Sequence, residues 1–189
     1  LLISFMGVGE PLLNLDLIRK VYENEEKIKK DLGYEAVGYA LATMMPKEEK
    51  MEELEAIVKE TGLPIKVHFS LHSPNDNIRE ELIPSSEYSV RSNISHLLHY
   101  RNMFLNDRRL MRDFLKVHRN SYPVEIHYTL IKGVNDSEEE LENLCNILAI
   151  CKLPIKFIKF NPKEDMEISQ KEEEWVKKLK EIKGLLVKR

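Results

Sequence analysis

Cysteine is scarce in this chain: its 189 residues hold two, Cys145 and Cys151. Two thiols give no disulfide framework and point to a reducing compartment. Their spacing puts them on different faces of one helical stretch, so they read as structural thiols rather than paired ligands. Long apolar runs are also missing. Nothing approaches the roughly 20 residues that cross a bilayer, and no signal-peptide pattern opens the chain. The expectation is a cytoplasmic protein with no membrane partner. No internal repeat or low-complexity linker is visible, and the net charge of −3 does not advertise nucleic-acid binding. What remains is 42% hydrophobic and 32% charged, the composition of a globular domain with a heavily charged exterior. The length suits one domain, spanning 1–189, with a substantial core.

The pattern that is present alternates. Strands are expected at 1–6, 36–43, 64–71, 124–131, 155–160 and 184–188, and helices near 14–31, 47–61, 89–118, 137–150 and 169–183. Such alternation builds βαβ units, hence an α/β fold with a parallel sheet and right-handed crossovers. Strand patterning adds more. In Ile65–Leu71 the apolar Ile65, Val67, Phe69 and Leu71 share one face, while Lys66, His68, Ser70 and then His72 share the other. Val124–Leu130 repeats this, with Glu125, His127 and Thr129 opposite the apolar set. Inner parallel strands are usually apolar on both faces, so the polar face implies a wet or ligand-filled concavity. Ala36, Gly38, Ala40 and Ala42 form a small-residue face that would leave room for a cofactor. Together these fit an open, incomplete barrel with its site at the carboxyl ends of the strands.

At the end of the first strand stands Gly7-Val8-Gly9-Glu10-Pro11. Glycine permits positive φ and close backbone approach, Glu10 offers an acceptor to a cationic group, and Pro11 starts a helix well. A turn carrying a solvated glutamate is the plainer reading. The segment FMGVGEPLLN at 5–14 resembles the second-strand signature of radical S-adenosylmethionine (SAM) enzymes, above all the 23S rRNA and tRNA adenine C2-methyltransferases and their C8-methylating antibiotic-resistance relatives. SLHSPNDNIREELIP at 70–84, YTLIKGVNDS at 128–137 and FNP at 160–162 follow in the same order.

That resemblance implies a partial (β/α) TIM-like barrel whose first strand and cluster loop precede this chain, making the chain an internal piece of a longer enzyme. It implies SAM as cofactor, with Gly9 and Glu10 holding its amino acid portion, Ser70, Leu71 and His72 forming a further contact, and Asn161 fixing the nucleoside end. It implies a [4Fe-4S] cluster bound by C-x-x-x-C-x-x-C, a motif absent here, and a late methyl-carrying cysteine, also absent, so no catalytic or metal-binding residue is assigned to this chain and the chain alone is expected to be inactive. In such enzymes the reduced cluster cleaves SAM to a 5′-deoxyadenosyl radical that drives methyl transfer to adenine. The implied partners are rRNA or tRNA and an electron donor such as flavodoxin or ferredoxin.

Two departures stand out. Ala42 in Leu41-Ala42-Thr43 replaces a serine that the family uses near SAM. The region between Pro84 and Tyr128 runs longer than in typical members, and its segment 101–120 carries six basic side chains against two acidic ones. Arg108, Arg109, Arg112 and Lys116 could form a ridge that meets RNA phosphate, or a solvated helix face. Other readings stay open: a divergent radical SAM enzyme with another substrate, a non-catalytic RNA-binding module, or a metal-dependent hydrolase using His68, His72, Glu125 and His127. His96, His99 and His118 read as surface or packing residues.

Overall fold

The computed structural model describes residues 1–6, 9–162 and 166–189. Six strands form one sheet in the order β1-β2-β3-β4-β5-β6: β1 (Leu2–Phe5), β2 (Gly38–Thr43), β3 (Ile65–Ser70), β4 (Val124–Tyr128), β5 (Ile155–Phe157) and β6 (Val187–Lys188). Every neighbouring pair is parallel, so each connection crosses over through helix and the sheet winds in sequence order. The sheet is open: among the described residues β1 and β6 do not pair.

The register sorts the side chains. Tyr39 pairs with Ile65, Leu41 with Val67, and Phe69 with Ile126, giving one apolar face. Helices α1 (Leu15–Glu23), α3 (Glu48–Thr61), α5 (Val90–Asn106), α6 (Arg108–Val117), α7 (Glu138–Cys151) and α8 (Glu172–Lys180) contribute to the same buried core, whereas α2 (Glu25–Leu32) buries no residue. Tyr39, Phe69, Tyr100, Phe104, Phe114, Tyr128 and Trp175 are its largest buried side chains apart from Arg79. The helix starts follow local chemistry. Ser137 Oγ accepts from the Glu140 amide at 3.2 Å, and three glutamates occupy the first turn of α7.

Two long helices expected from periodicity are broken. The stretch 14–31 becomes a 3-10 turn (Pro11–Asn14) followed by α1 and α2, with Asn24 between them. The stretch 89–118 becomes α5 and α6, because the Asp107 carboxylate accepts from the amides of Arg109 and Leu110 at 2.8 and 3.0 Å and restarts the helix. A short helix, α4 (Asp76–Leu82), was not expected. Asn75 caps it through Asn77 N at 2.9 Å.

The amino end of the sheet is closed by α6. A Cβ at Gly38 would lie 3.1 Å from Val117 Cβ, and His118 Nε2 donates to the Pro64 carbonyl at 2.9 Å. The room left by Gly38 is therefore filled by the end of α6 rather than kept for a cofactor. Ala40 is buried as well.

Candidate functional site

The turn after β1 begins at Gly7 and Val8, which lie outside the described residues. Gly9 follows at φ +76°, and a Cβ there would meet no atom within 4 Å, so conformation rather than crowding demands glycine. Glu10 is half-buried, not solvated. Its Oε1 accepts from Leu12 N at 3.1 Å, capping the 3-10 turn, and its Oε2 accepts from Met44 N at 2.9 Å, just past the end of β2. One carboxylate thus ties two strand exits together. Each oxygen keeps a further lone pair for a cationic ligand.

Met44 is also held through its next peptide group. Its carbonyl accepts from Arg79 Nη2 at 2.8 Å. Arg79, on α4, also donates to Ser70 O at 3.3 Å, to Leu71 O at 3.2 Å and to Ser86 Oγ, and its guanidinium sits 5.1 Å over the Phe69 ring. It is 2% exposed. Burial lowers its pKa to about 10, which still leaves it charged at neutral pH. Sequence reasoning passed over Arg79. It lies inside the 70–84 motif, but only the fold shows that the exits of β2 and β3 converge on its planar fork.

His72 sits at φ +56°, a left-handed conformation uncommon for a histidine. Its Nδ1 accepts from Thr129 N at 3.1 Å, and its carbonyl accepts from Asn135 Nδ2 at 2.5 Å. Asn135 also donates to Thr129 O at 2.8 Å and accepts from Ile131 N at 2.7 Å, locking the exit of β4 to that of β3. Burial, the Arg79 cation and His127 lower the His72 pKa to about 4. The ring is therefore neutral at pH 7, and with Nδ1 accepting, Nε2 carries the proton and is a donor. His72 lines a cavity of about 310 Å³ with Leu82, Thr129, Ile131, Phe160 and Met166.

Of the six residues assigned to a cofactor, Gly9, Glu10, Ser70, Leu71 and His72 stand at carboxyl ends of strands linked by this network. Leu71 belongs to the frame: its side chain is fully buried, its amide donates to His127 O at 3.1 Å, and its carbonyl accepts from Ser73 N and Arg79. Asn161 is exposed on the segment after β5, next to Phe160 of the cavity wall. Lys163, Glu164 and Asp165, read as loop, lie outside the described residues. Ala42 pairs with His68, on the opposite face of β2 from Leu41 and Thr43.

Below the strand exits the polar wall is dry. Lys66, His68, Glu125 and His127 are each less than a tenth exposed. Where alternation implied a wet or ligand-filled concavity, the structure shows a buried, self-paired cluster. His68 Nδ1 lies 2.6 Å from His127 Nε2, and Glu125 Oε1 lies 3.4 Å from both nitrogens. Lys66 Nζ reaches Glu125 Oε1 at 3.2 Å, and Lys188 pairs with Oε2. These hydrogen bonds and cations hold the Glu125 carboxyl far below the usual range, against its burial. Burial lowers the His68 pKa to about 4. Three of the four residues weighed as metal ligands converge; His72 is held apart by Thr129.

The basic segment lies at the opposite end. Arg108, Arg109, Arg112 and Lys116 are exposed on α6, whose buried side carries Leu110 and Phe114. Asp113 pairs with Arg112 at 3.3 Å and Lys116 at 2.8 Å. A cleft of about 460 Å³ runs between Arg109, Leu110 and the Thr61-Gly62 turn before β3. A six-residue strand is about 20 Å long, which separates this ridge from the strand exits around Glu10 and His72. Cys145 and Cys151 are free, and burial raises both thiols. His96 and His99 do have carboxylate partners, Glu48 and Glu55 on α3, at 3.4 and 2.9 Å. No sequence spacing reveals such pairs between helices.

No family model matches the chain. Among curated proteins, the probable dual-specificity RNA methyltransferase RlmN of Desulforamulus reducens is 30% identical over 181 residues, 95% of this chain and 45% of that protein. The protein of the same description from Synechococcus elongatus is 30% identical over 166 residues, covering 87% and 41%. The dual-specificity RNA methyltransferase RlmN of Marinomonas sp. is 28% identical over 165 residues, covering 85% and 38%. The chain thus spans less than half the length of these relatives. Among solved structures, a radical SAM methyltransferase from Sphaerobacter thermophilus shares the fold at TM-score 0.65 and 24% identity, over 99% of this chain and 50% of that one. A domain of pyruvate-formate lyase-activating enzyme from Bacteroides vulgatus matches at TM-score 0.60 and 16% identity, over 98% and 96%. Among the described residues no helix is long and apolar enough to cross a membrane.

Proposed function

We infer that this chain, whose homologues are dual-specificity RNA methyltransferases, is the cofactor-binding part of a radical SAM methyltransferase that acts on adenine in rRNA or tRNA. The observation that carries the reading is Glu10. A half-buried carboxylate at a parallel-strand exit, fixed by two backbone amides, is an oriented acceptor for the ammonium of an amino acid. Gly9 lets the backbone approach, the Ser70 hydroxyl stands on the inward face, and the His72 Nε2–H donates beside the 310 Å³ cavity. These residues fit the zwitterionic head of SAM, with Asn161 placed to meet its nucleoside end. SAM supplies the methyl group and the radical chemistry; this chain binds and orients it.

The residues of this chain do not fit an iron–sulfur cluster. Cluster ligands are thiolates, whereas both thiols here stand on α7 with raised pKa values. In this reading the [4Fe-4S] cluster, the methyl-carrying cysteine and the contact with a flavodoxin- or ferredoxin-type donor belong to other parts of a longer cytoplasmic enzyme. The test is a titration of the ¹⁵N-labelled chain with SAM. Saturable shifts at Glu10, Ser70, His72 and Thr129 are expected; none up to millimolar SAM would remove the cofactor reading.

A further inference from the structure

The cluster beneath the cradle takes no part in the cofactor reading. His68 and Glu125 are directly paired across β3 and β4, and His127 is two residues along β4, so all three project from one face of the sheet. They are 9%, 2% and 9% exposed. Two imidazoles and a carboxylate buried this deeply, with one ligating atom each within 4.8 Å of the others, are a rare arrangement unless something is held between them.

We propose that His68 Nδ1, His127 Nε2 and Glu125 Oε1 form a three-ligand site for one divalent cation of the zinc class. A tetrahedral ion with bonds of 2.0–2.1 Å separates its ligand atoms by about 3.3 Å. Two edges of the triangle, both 3.4 Å, have that length. The third, His68 to His127 at 2.6 Å, is a hydrogen bond through one proton, and it widens when a metal replaces that proton. Two nitrogens and one oxygen select a borderline ion such as Zn²⁺ or Co²⁺ over Mg²⁺ or Ca²⁺. Three protein ligands leave the fourth position to water.

The lysines set the terms. Lys66 lies 3.2 Å from the oxygen the metal requires, while Lys188 holds the other oxygen, Oε2. Without metal they neutralise Glu125. When metal binds, Lys66 must leave Oε1, and Lys188 orients the carboxylate from behind. The site is therefore a competition between an ammonium and a divalent ion for one oxygen. That predicts an unusual sign: removing a positive side chain that is not a ligand strengthens metal binding.

The experiment uses the purified chain, stripped with chelator and titrated with Co²⁺, followed by visible d–d absorption and by Zn²⁺ displacement. Circular dichroism and Trp175 fluorescence check each variant's fold. One equivalent is expected, with Glu125→Gln weakening binding by at least about tenfold, His127→Ala by about a hundredfold, and Lys66→Met tightening it by about tenfold. Glu125→Gln is isosteric and keeps the test alive should His127→Ala fail to fold. The proposal is overturned by a folded parent that takes up no stoichiometric Co²⁺, by thiolate-to-cobalt bands implicating Cys145 or Cys151, by unchanged affinity in the folded ligand variants, or by weaker binding in Lys66→Met. Because SAM is not added, failure here leaves the cofactor reading untouched.

Discussion

Replacing Arg79 tests whether the strand exits are held by one guanidinium. The side chain is buried and donates to the carbonyls of Met44, Ser70 and Leu71 and to the Ser86 hydroxyl. Hydrogen bonds from a charged donor contribute about 1.5–3 kcal/mol each. Burying the guanidinium costs several kcal/mol in the opposite direction. Arg79→Met loses the bonds and recovers the desolvation, a net loss of about 2–4 kcal/mol. Arg79→Lys keeps a buried charge, yet an ammonium cannot span acceptors arranged around a planar fork. Its loss should be about 3–5 kcal/mol, no smaller than that of the methionine variant. Urea unfolding followed by Trp175 reads this cleanly. It is the single tryptophan, 1% exposed and 5.8 Å from the Tyr128 ring. A lysine variant within about 1 kcal/mol of the parent would refute the bridging role.

Acid stability should depend on His72. Its folded pKa of about 4 lies below its unfolded value, because of burial, Arg79 on α4 and His127 on β4. The unfolded chain therefore takes up the proton first, and stability present above pH 6.5 is lost as pH falls toward 4, by up to about 3 kcal/mol. His72→Asn tolerates the left-handed backbone and can still accept from Thr129, so its unfolding free energy should fall less steeply between pH 6.5 and 4; an unchanged slope would count against this histidine. The basic ridge is tested separately. If Arg108, Arg109, Arg112 and Lys116 meet phosphate, their replacement by glutamine weakens RNA binding and flattens its salt dependence. Unchanged affinity and slope in a filter-binding assay would make α6 only the closure of the sheet's amino end.

All six strands were legible in sequence because alternating apolar positions and helix caps are local signals. The division of side chains between the two faces followed, since a period of two decides which of them share a face; the register between strands needed the fold. The dryness of that face was not legible. Lys188 reaches Glu125 across 63 residues, and no local pattern announces such a pairing. The same holds for Val117 filling the space at Gly38. α4 escaped because seven residues are too few for a helical period to show. Glu10 was singled out from its turn, but its links to Leu12 and Met44 needed the fold. For Arg79 even the role was invisible, because three of its four hydrogen-bond partners are backbone carbonyls.

The central claim is that Glu10 receives the SAM ammonium, and Glu10→Gln tests it most directly. The amide keeps the size and one acceptor oxygen, but it removes the charge. A charged hydrogen bond of about 1.5–3 kcal/mol corresponds to roughly one to two decades in affinity. SAM dissociation constants for parent and variant, measured by the same ¹⁵N titration at equal foldedness by Trp175 fluorescence, should differ by that factor. Equal dissociation constants would contradict the account and leave Glu10 as a cap for the turn after β1.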